Sequence, residues 1–226
     1  STPNLVLRKA ASGSNNLISG YTGNTVRWQI SVGDVASEGG ADAGSNLSFY
    51  RFADNGSYLG APLQVVRASG LIALGSGQLQ FPATANPSTD ANTLDDYEEG
   101  TWTPQPAFGG ASVGMTFSTR IARYTKIGNR VLLETYMVFT AKGSSTGAAT
   151  VTGLPFAESA SGLVNVMQVA AFSAASLTAG FSGYIQAGGT GMQLLNPSTT
   201  GAGNSSNANF TDTTNLLISG NYTTNA

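Results

Sequence analysis

Short runs of alternating apolar and polar residues dominate the chain. Val26-Arg27-Trp28-Gln29-Ile30-Ser31-Val32 alternates with period two, and so does Leu47-Ser48-Phe49-Tyr50-Arg51-Phe52. That period marks a strand with one buried face. Asp54-Asn55-Gly56 follows the second run and reads as a turn, and Tyr58 to Arg67 reads as the returning strand. Pro62 inside it points to an edge or an irregular start. Asn4 to Lys9 and Leu71 to Phe81 are weaker extended candidates. Large apolar side chains are sparse before residue 86, too sparse for an adequate core in one copy.

Beyond residue 97 the runs lengthen. Arg120 to Ile127 and Arg130 to Thr140 flank Gly128-Asn129, a two-residue hairpin signal of the II′ kind. In the second run Val131, Leu133, Met137 and Phe139 share one face with Thr135, while Glu134, Tyr136 and Thr140 share the other. Thr150 to Phe156, Leu163 to Phe172, Phe181 to Ala187, Met192 to Leu195 and Leu216 to Tyr222 are further strands, separated by Gly- or Asn-rich turns. No segment shows a capped 3.6-residue period. The pattern predicts an all-β chain whose C-terminal part is an antiparallel β-sandwich of jelly-roll-like kind.

Composition divides the chain further. Residues 82–96 are rich in Pro, Asn, Ser, Thr and Asp, so the predicted organisation is an N-terminal β module over 1–85, a linker over 86–96 and a C-terminal domain over 97–226. Residues 1–100 carry five bases and nine acids, residues 101–226 five bases and three acids. From residue 159 onward Asp212 is the only charge. That neutral stretch either buries area against partner chains or presents a hydroxyl and amide face. Charged residues are 10% of the chain, against about 25% in an ordinary domain.

The chain has neither Cys nor His, which removes thiol and imidazole catalysis, disulfides and zinc–thiolate sites. A net charge of −2 offers no basic field for nucleic acid. Ser1-Thr2-Pro3-Asn4 does not open a signal peptide, and no apolar run approaches membrane-spanning length, so the chain is expected to fold where it is made, with no membrane insertion. The glycine pairs Gly109-Gly110 and Gly188-Gly189 lie outside any phosphate-loop pattern and read as turns.

Three clusters carry candidate chemistry. Asp95, Asp96, Glu98 and Glu99 could serve as paired carboxylates for glycoside hydrolysis or as oxygen ligands for a hard cation, but the preferred reading is a structural, solvated linker. Arg120, Arg123, Lys126, Arg130 and Lys142 could hold an anionic polysaccharide, or simply protect exposed strand faces from aggregation. In the neutral C-terminal stretch, Tyr184 and Tyr222 are the aromatic platforms best suited to a sugar ring, against the alternative of core packing. The polar segment from Asn196 to Asn209 reads as a long loop, with Asn196, Asn204 and Asn207 as candidate carbohydrate contacts. No catalytic residue, metal ligand or cofactor is expected.

Leu94-Asp95-Asp96-Tyr97-Glu98-Glu99-Gly100-Thr101-Trp102-Thr103-Pro104 resembles a segment that opens the C-terminal β-domain of bacteriophage tail-fibre and tailspike proteins. Tyr124-Thr125-Lys126-Ile127-Gly128-Asn129-Arg130-Val131 and Thr152-Gly153-Leu154-Pro155-Phe156 resemble strand and turn signatures of the same domain. Upstream, Arg27-Trp28-Gln29-Ile30, Gly44-Ser45-Asn46-Leu47, Arg51-Phe52-Ala53-Asp54-Asn55-Gly56 and the stretch from Pro62 to Gly70 resemble a module of phage fibres and head spikes.

The resemblance implies a non-enzymatic virion appendage assembled in the host cytoplasm. It implies a homotrimer whose N-terminal part intertwines and docks on other virion proteins. The C-terminal part would face a bacterial surface polysaccharide or lipopolysaccharide. A head fibre or capsid spike built from the same modules is the alternative, and a polysaccharide depolymerase the third reading. Trp28, Trp102, Gly128 and Asn129 fall within the signature strings, which implies structural roles, with both tryptophans as packing anchors. A core-poor first part and a nearly uncharged end are compatible with three chains sharing buried surface.

Overall fold

The computed structural model describes residues 5–84, 86, 88–90, 92–160, 165–173, 181–198 and 201–225. The Ser1–Asn4 start, parts of the 86–96 linker, residues 163–164 of the Leu163–Phe172 strand and residues 199–200 of the expected loop lie outside the described residues. Among the described residues the chain is all-β, with no α-helix and two antiparallel sheets. It divides into two compact units, Ser1–Gln80 and Phe81–Ala226.

The first unit is a five-stranded sheet in sequence order: β1 (Leu17–Thr22), β2 (Thr25–Val32), β3 (Leu47–Phe52), β4 (Tyr58–Val65) and β5 (Ile72–Ala73). The alternation in β2 and β3 set these strands, as expected. The weak candidates behave differently. Lys9 and its neighbours form no strand, and only two residues of the Leu71–Phe81 stretch pair. Glycines at 75 and 77 interrupt that stretch and leave β5 as a short edge.

Register shows how the two faces of this sheet differ. Leu17, Ser31, Ser48, Gln64 and Ala73 stand opposite one another across the five strands. Ser31 and Ser48 in this rank are fully buried, beneath a polar lattice. Asp34 anchors it by accepting from the Ala36 and Asn46 amides at 3.1 and 3.2 Å and from the Asn46 side chain at 2.8 Å. Gln64 donates to Ser48 Oγ at 3.0 Å, and Lys9 reaches the Asp34 carbonyl and the Glu38 carboxylate. The ranks on the other face are Ile18, Ile30, Phe49 and Leu63, then Val32, Leu47, Val65 and Ile72. No hydrophobic side chain between residues 5 and 80 is buried.

The second unit holds β6 (Tyr97–Thr101), β7 (Gln105–Phe108), β8 (Thr116–Ile127), β9 (Arg130–Ala141), β10 (Ala149–Thr152), β11 (Asn165–Phe172), β12 (Ser182–Ile185), β13 (Gly191–Ser198), β14 (Gly201–Asn204) and β15 (Asn215–Thr223). They form one sheet in the order β6-β8-β9-β15-β11-β12-β13-β10-β7, with β14 paired to β13. This single sheet curls into a half-barrel, so the two layers of a sandwich are here the flanks of one continuous ladder. Its concave side is filled by Trp102, Phe108, Val131, Leu133, Met137, Phe139, Met167, Met192, Phe210, Leu216 and Tyr222 among others. The alternating burial of β9 follows the sequence pattern residue by residue from Val131 to Phe139. The β8–β9 hairpin closes between Ile127 and Arg130, with Gly128 at φ 54 and Asn129 at negative φ, as a II′ turn requires.

Candidate functional site

The outward face of the half-barrel carries the open site. On β8 and β9 the residues between the buried ones must point away from the core, and antiparallel register aligns them with β15 and β11. Arg123, Glu134, Ser219 and Gln168 therefore form one polar rank across four strands. Ile121, Tyr136, Leu217 and Ala170 form the adjacent, largely apolar rank. Both line a hollow of about 760 Å³. A second hollow of about 440 Å³ shares Arg123, Glu134 and Ser219 and continues to Thr125, Leu132 and Asn221. Ile121 is 57% exposed and Tyr136 40%. Arg123 and Glu134 face each other across the hairpin, yet the ion pairs among the described residues lie elsewhere, at Lys9–Glu38, Arg27–Asp54 and Lys126–Asp96.

Such a surface suits a polyhydroxylated ligand. A guanidinium, a carboxylate, an amide and a hydroxyl in one line offer both donors and acceptors. Tyr136, with Ile121 and Leu217, offers an apolar strip beside them. Of the five clustered bases only Arg123 belongs to this hollow. Arg120 bonds Gln105 Oε1 at 2.9 Å and lies over the Phe117 ring. Arg130 bonds Asn221 Oδ1 at 2.7 Å, and Lys142 the Asn207 carbonyl at 3.0 Å. Lys126 is buried against Asp96 and corrects its reading as an exposed strand charge.

The residues singled out from the sequence are dispersed. Tyr184 is half-buried on β12, opposite Val166 and Gln193. Tyr222 is fully buried. Its hydroxyl donates to the Phe156 carbonyl at 2.9 Å and accepts from the Phe156 amide at 3.2 Å, so it is a core tie and not a sugar platform. Burial pushes its phenol up to about 12. Among its described residues, the expected loop from Asn196 to Asn209 is instead an antiparallel β13–β14 ladder followed by a 3₁₀ turn. Asn196 pairs Gly203 and Asn204 pairs Leu195 in the β13–β14 ladder, which meets the backbone hydrogen-bonding needs of a segment that is polar in side chains alone. Asn207 opens a 3₁₀ turn after Ser206, which caps it, and the Asn207 side chain accepts from the Gly147 amide at 3.0 Å.

The acidic cluster is also spread apart. Asp96 turns inward to Lys126, Glu98 accepts from the Tyr124 hydroxyl, and Glu99 from the Tyr97 hydroxyl. The Glu98 bond, before burial, pushes Tyr124 up to about 12. Neighbours on one strand point to opposite faces, so Glu98 and Glu99 do not converge as an acid–base pair. No group of three or more candidate metal ligands occurs among the described residues. Trp102 is buried in the core, consistent with an anchor, although its indole N–H finds no partner among the described residues. Trp28, also expected as a packing anchor, stands on the apolar face of the first sheet at 53% exposure.

Sequence reasoning placed Glu134 and Tyr136 on one outward face but missed their partners Gln168 and Ser219, which only strand order brings alongside. β6 and β7 were missed because Gly100, Pro104 and Pro106 mask their extended character. No protein-family model and no curated protein sequence matches the chain.

Proposed function

We propose that this chain is a bacteriophage virion fibre or spike protein, a homotrimer that attaches the particle to a bacterial surface glycan without cleaving it. The signature strings around Asp96 and Gly128 support the virion assignment by resemblance. The observation that carries adhesion is the open hollow on β8, β9, β15 and β11, where a row of mixed donors and acceptors runs beside Tyr136. A shallow groove of this kind binds one saccharide weakly. Three copies on a common axis raise the effective concentration, so modest single-site affinity becomes firm attachment. A high unfolding barrier in a β core shared by three chains suits a protein working outside the cell.

The test is binding of the full chain to polysaccharide and lipopolysaccharide extracted from bacterial surfaces, read on a glycan array and by calorimetry. Binding to at least one glycan is expected, with no new reducing ends released on prolonged incubation. Release of reducing ends, abolished by Glu98→Gln or Glu99→Gln, would replace adhesion with depolymerase activity. Absence of binding to every surface glycan overturns the adhesion reading.

A further inference from the structure

We infer that the apolar face of the first sheet is the surface on which copies of this chain pack together. The sheet is built inside out for a lone chain. Its polar rank, with Ser31 and Ser48, is sealed under the Asp34 lattice, while its apolar ranks run from half-buried at Ile30, Phe49, Leu63 and Val65 to exposed at Ile18, Val32, Leu47 and Ile72. Across four strands Ile18, Ile30, Phe49 and Leu63 line up, and beside them Val32, Leu47, Val65 and Ile72. Ile18 and Val32 are each 45% exposed and Ile72 65%. Trp28, paired with Gly20 and Arg51, extends the same face.

A sheet needs one apolar face covered to be stable in water, because ordering its backbone is opposed by conformational entropy. This unit buries no hydrophobic side chain of its own, so whatever covers the face must be present as the chain folds. The partner always available then, at equal concentration, is another copy. Charge agrees, since Arg51 is the only ionisable side chain among the paired positions of these ranks and its Nε is already shielded from solvent. With strands about 4.8 Å apart and about 3.3 Å per residue, the face is roughly 20 Å square, so three copies hide on the order of 1,200 Å² in all. The roughly 400 Å² per copy is about half of what each partner gives to a standard-size interface. The inference rests on the fibre reading for the number of copies only.

The absence of cysteine makes the test direct. Val32→Cys places a thiol on the apolar face and Ser19→Cys one on the opposite face, and both positions are exposed in the single chain. In the full chain at micromolar concentration, light scattering is expected to give three times the chain mass, and a maleimide to label Val32→Cys at least 10-fold more slowly than Ser19→Cys. Ile30→Asp is expected to lower the mass to that of one chain while Ser19→Asp leaves it unchanged. A trimer that labels both thiols at the same rate overturns this surface and leaves the fibre reading standing. A monomer in which Val32→Cys labels slowly shows that the chain covers its own face and overturns the inference. A monomer in which both label fast overturns the inference and the trimeric reading together.

Discussion

Lys126 and Asp96 form an ion pair in the interior of the second unit, with side chains only 3% and 12% exposed. The ammonium also lies 5.5 Å from the centroid of the Phe156 ring, and the Asp96 carbonyl accepts from the Gly128 amide at 2.9 Å. These contacts fasten the segment before β6 to the tip of the β8–β9 hairpin. Asp96→Ala leaves a desolvated ammonium without its counter-charge, and the expected loss is about 3–5 kcal/mol. Replacing both partners, as Asp96→Leu with Lys126→Met, should recover most of it, because the pair's desolvation penalty disappears with the pair. Urea unfolding of the two variants and the parent measures both effects. A double variant no more stable than Asp96→Ala sinks this account.

The outward hollow makes a separable prediction. Tyr136→Ala and Arg123→Ala remove an apolar platform and a forked donor from exposed positions on the outward face of the sheet. Each is expected to weaken glycan binding about 10-fold, the effect of losing roughly 1.4 kcal/mol from one shallow contact. Melting temperature should stay within about 2 °C, since exposed substitutions rarely exceed 0.5 kcal/mol. Calorimetry against the bound glycan and thermal melts of the same preparations check this. A binding loss that follows a falling melting temperature would mean that the positions are structural.

The chain spoke clearly where each strand decides its own state. Val131 to Phe139 alternates so regularly that its buried and outward faces can be assigned from residue type, and Gly128-Asn129 announces its turn through the one backbone conformation glycine permits cheaply. It spoke poorly where the answer depends on a distant partner. Asn196 to Asn204 is rich in loop-forming residues, but among its described residues an antiparallel ladder satisfies the backbone. Tyr222 looked available in a nearly uncharged stretch, yet β15 lies between β9 and β11 and its inward residues fill the core. The Arg123–Glu134–Ser219–Gln168 rank joins residues up to 96 positions apart, which no local period encodes.

Glycine substitutions should separate conformational cost from steric cost. Gly128 has φ +54 with no atom within 4 Å of an added Cβ, so Gly128→Ala is expected to cost about 1 kcal/mol, the penalty for an L-residue in the left-handed region. Gly153 has φ +84, and its Cβ would stand 2.4 Å from the Thr103 carbonyl oxygen. Gly153→Ala must also push two backbones apart, so a loss of about 3 kcal/mol or more is expected. Equal midpoints in urea for the two variants would remove the steric half of this argument.

Alkaline unfolding should report on Tyr222 and Tyr124, both raised from 10.0 to about 12. For Tyr222 the cause is burial; for Tyr124 it is the hydroxyl donated to Glu98, followed by burial. In each case the native state holds its phenolic proton more tightly than the unfolded chain does. Below pH 10 both states are protonated and the stabilisation is complete. Between pH 10 and about 12 the unfolded chain loses protons that the native state keeps, so stability falls as pH rises. For Tyr222 the full loss is roughly 3 kcal/mol, two units at 1.36 kcal/mol each. Tyr222→Phe removes the titration but also the two bonds to Phe156. The variant should therefore start less stable at pH 8 and lose less between pH 10 and 12 than the parent. Urea midpoints across that range, beside absorbance at 295 nm to count tyrosinates, decide it: parallel curves for parent and variant would show that Tyr222 titrates as an ordinary exposed phenol.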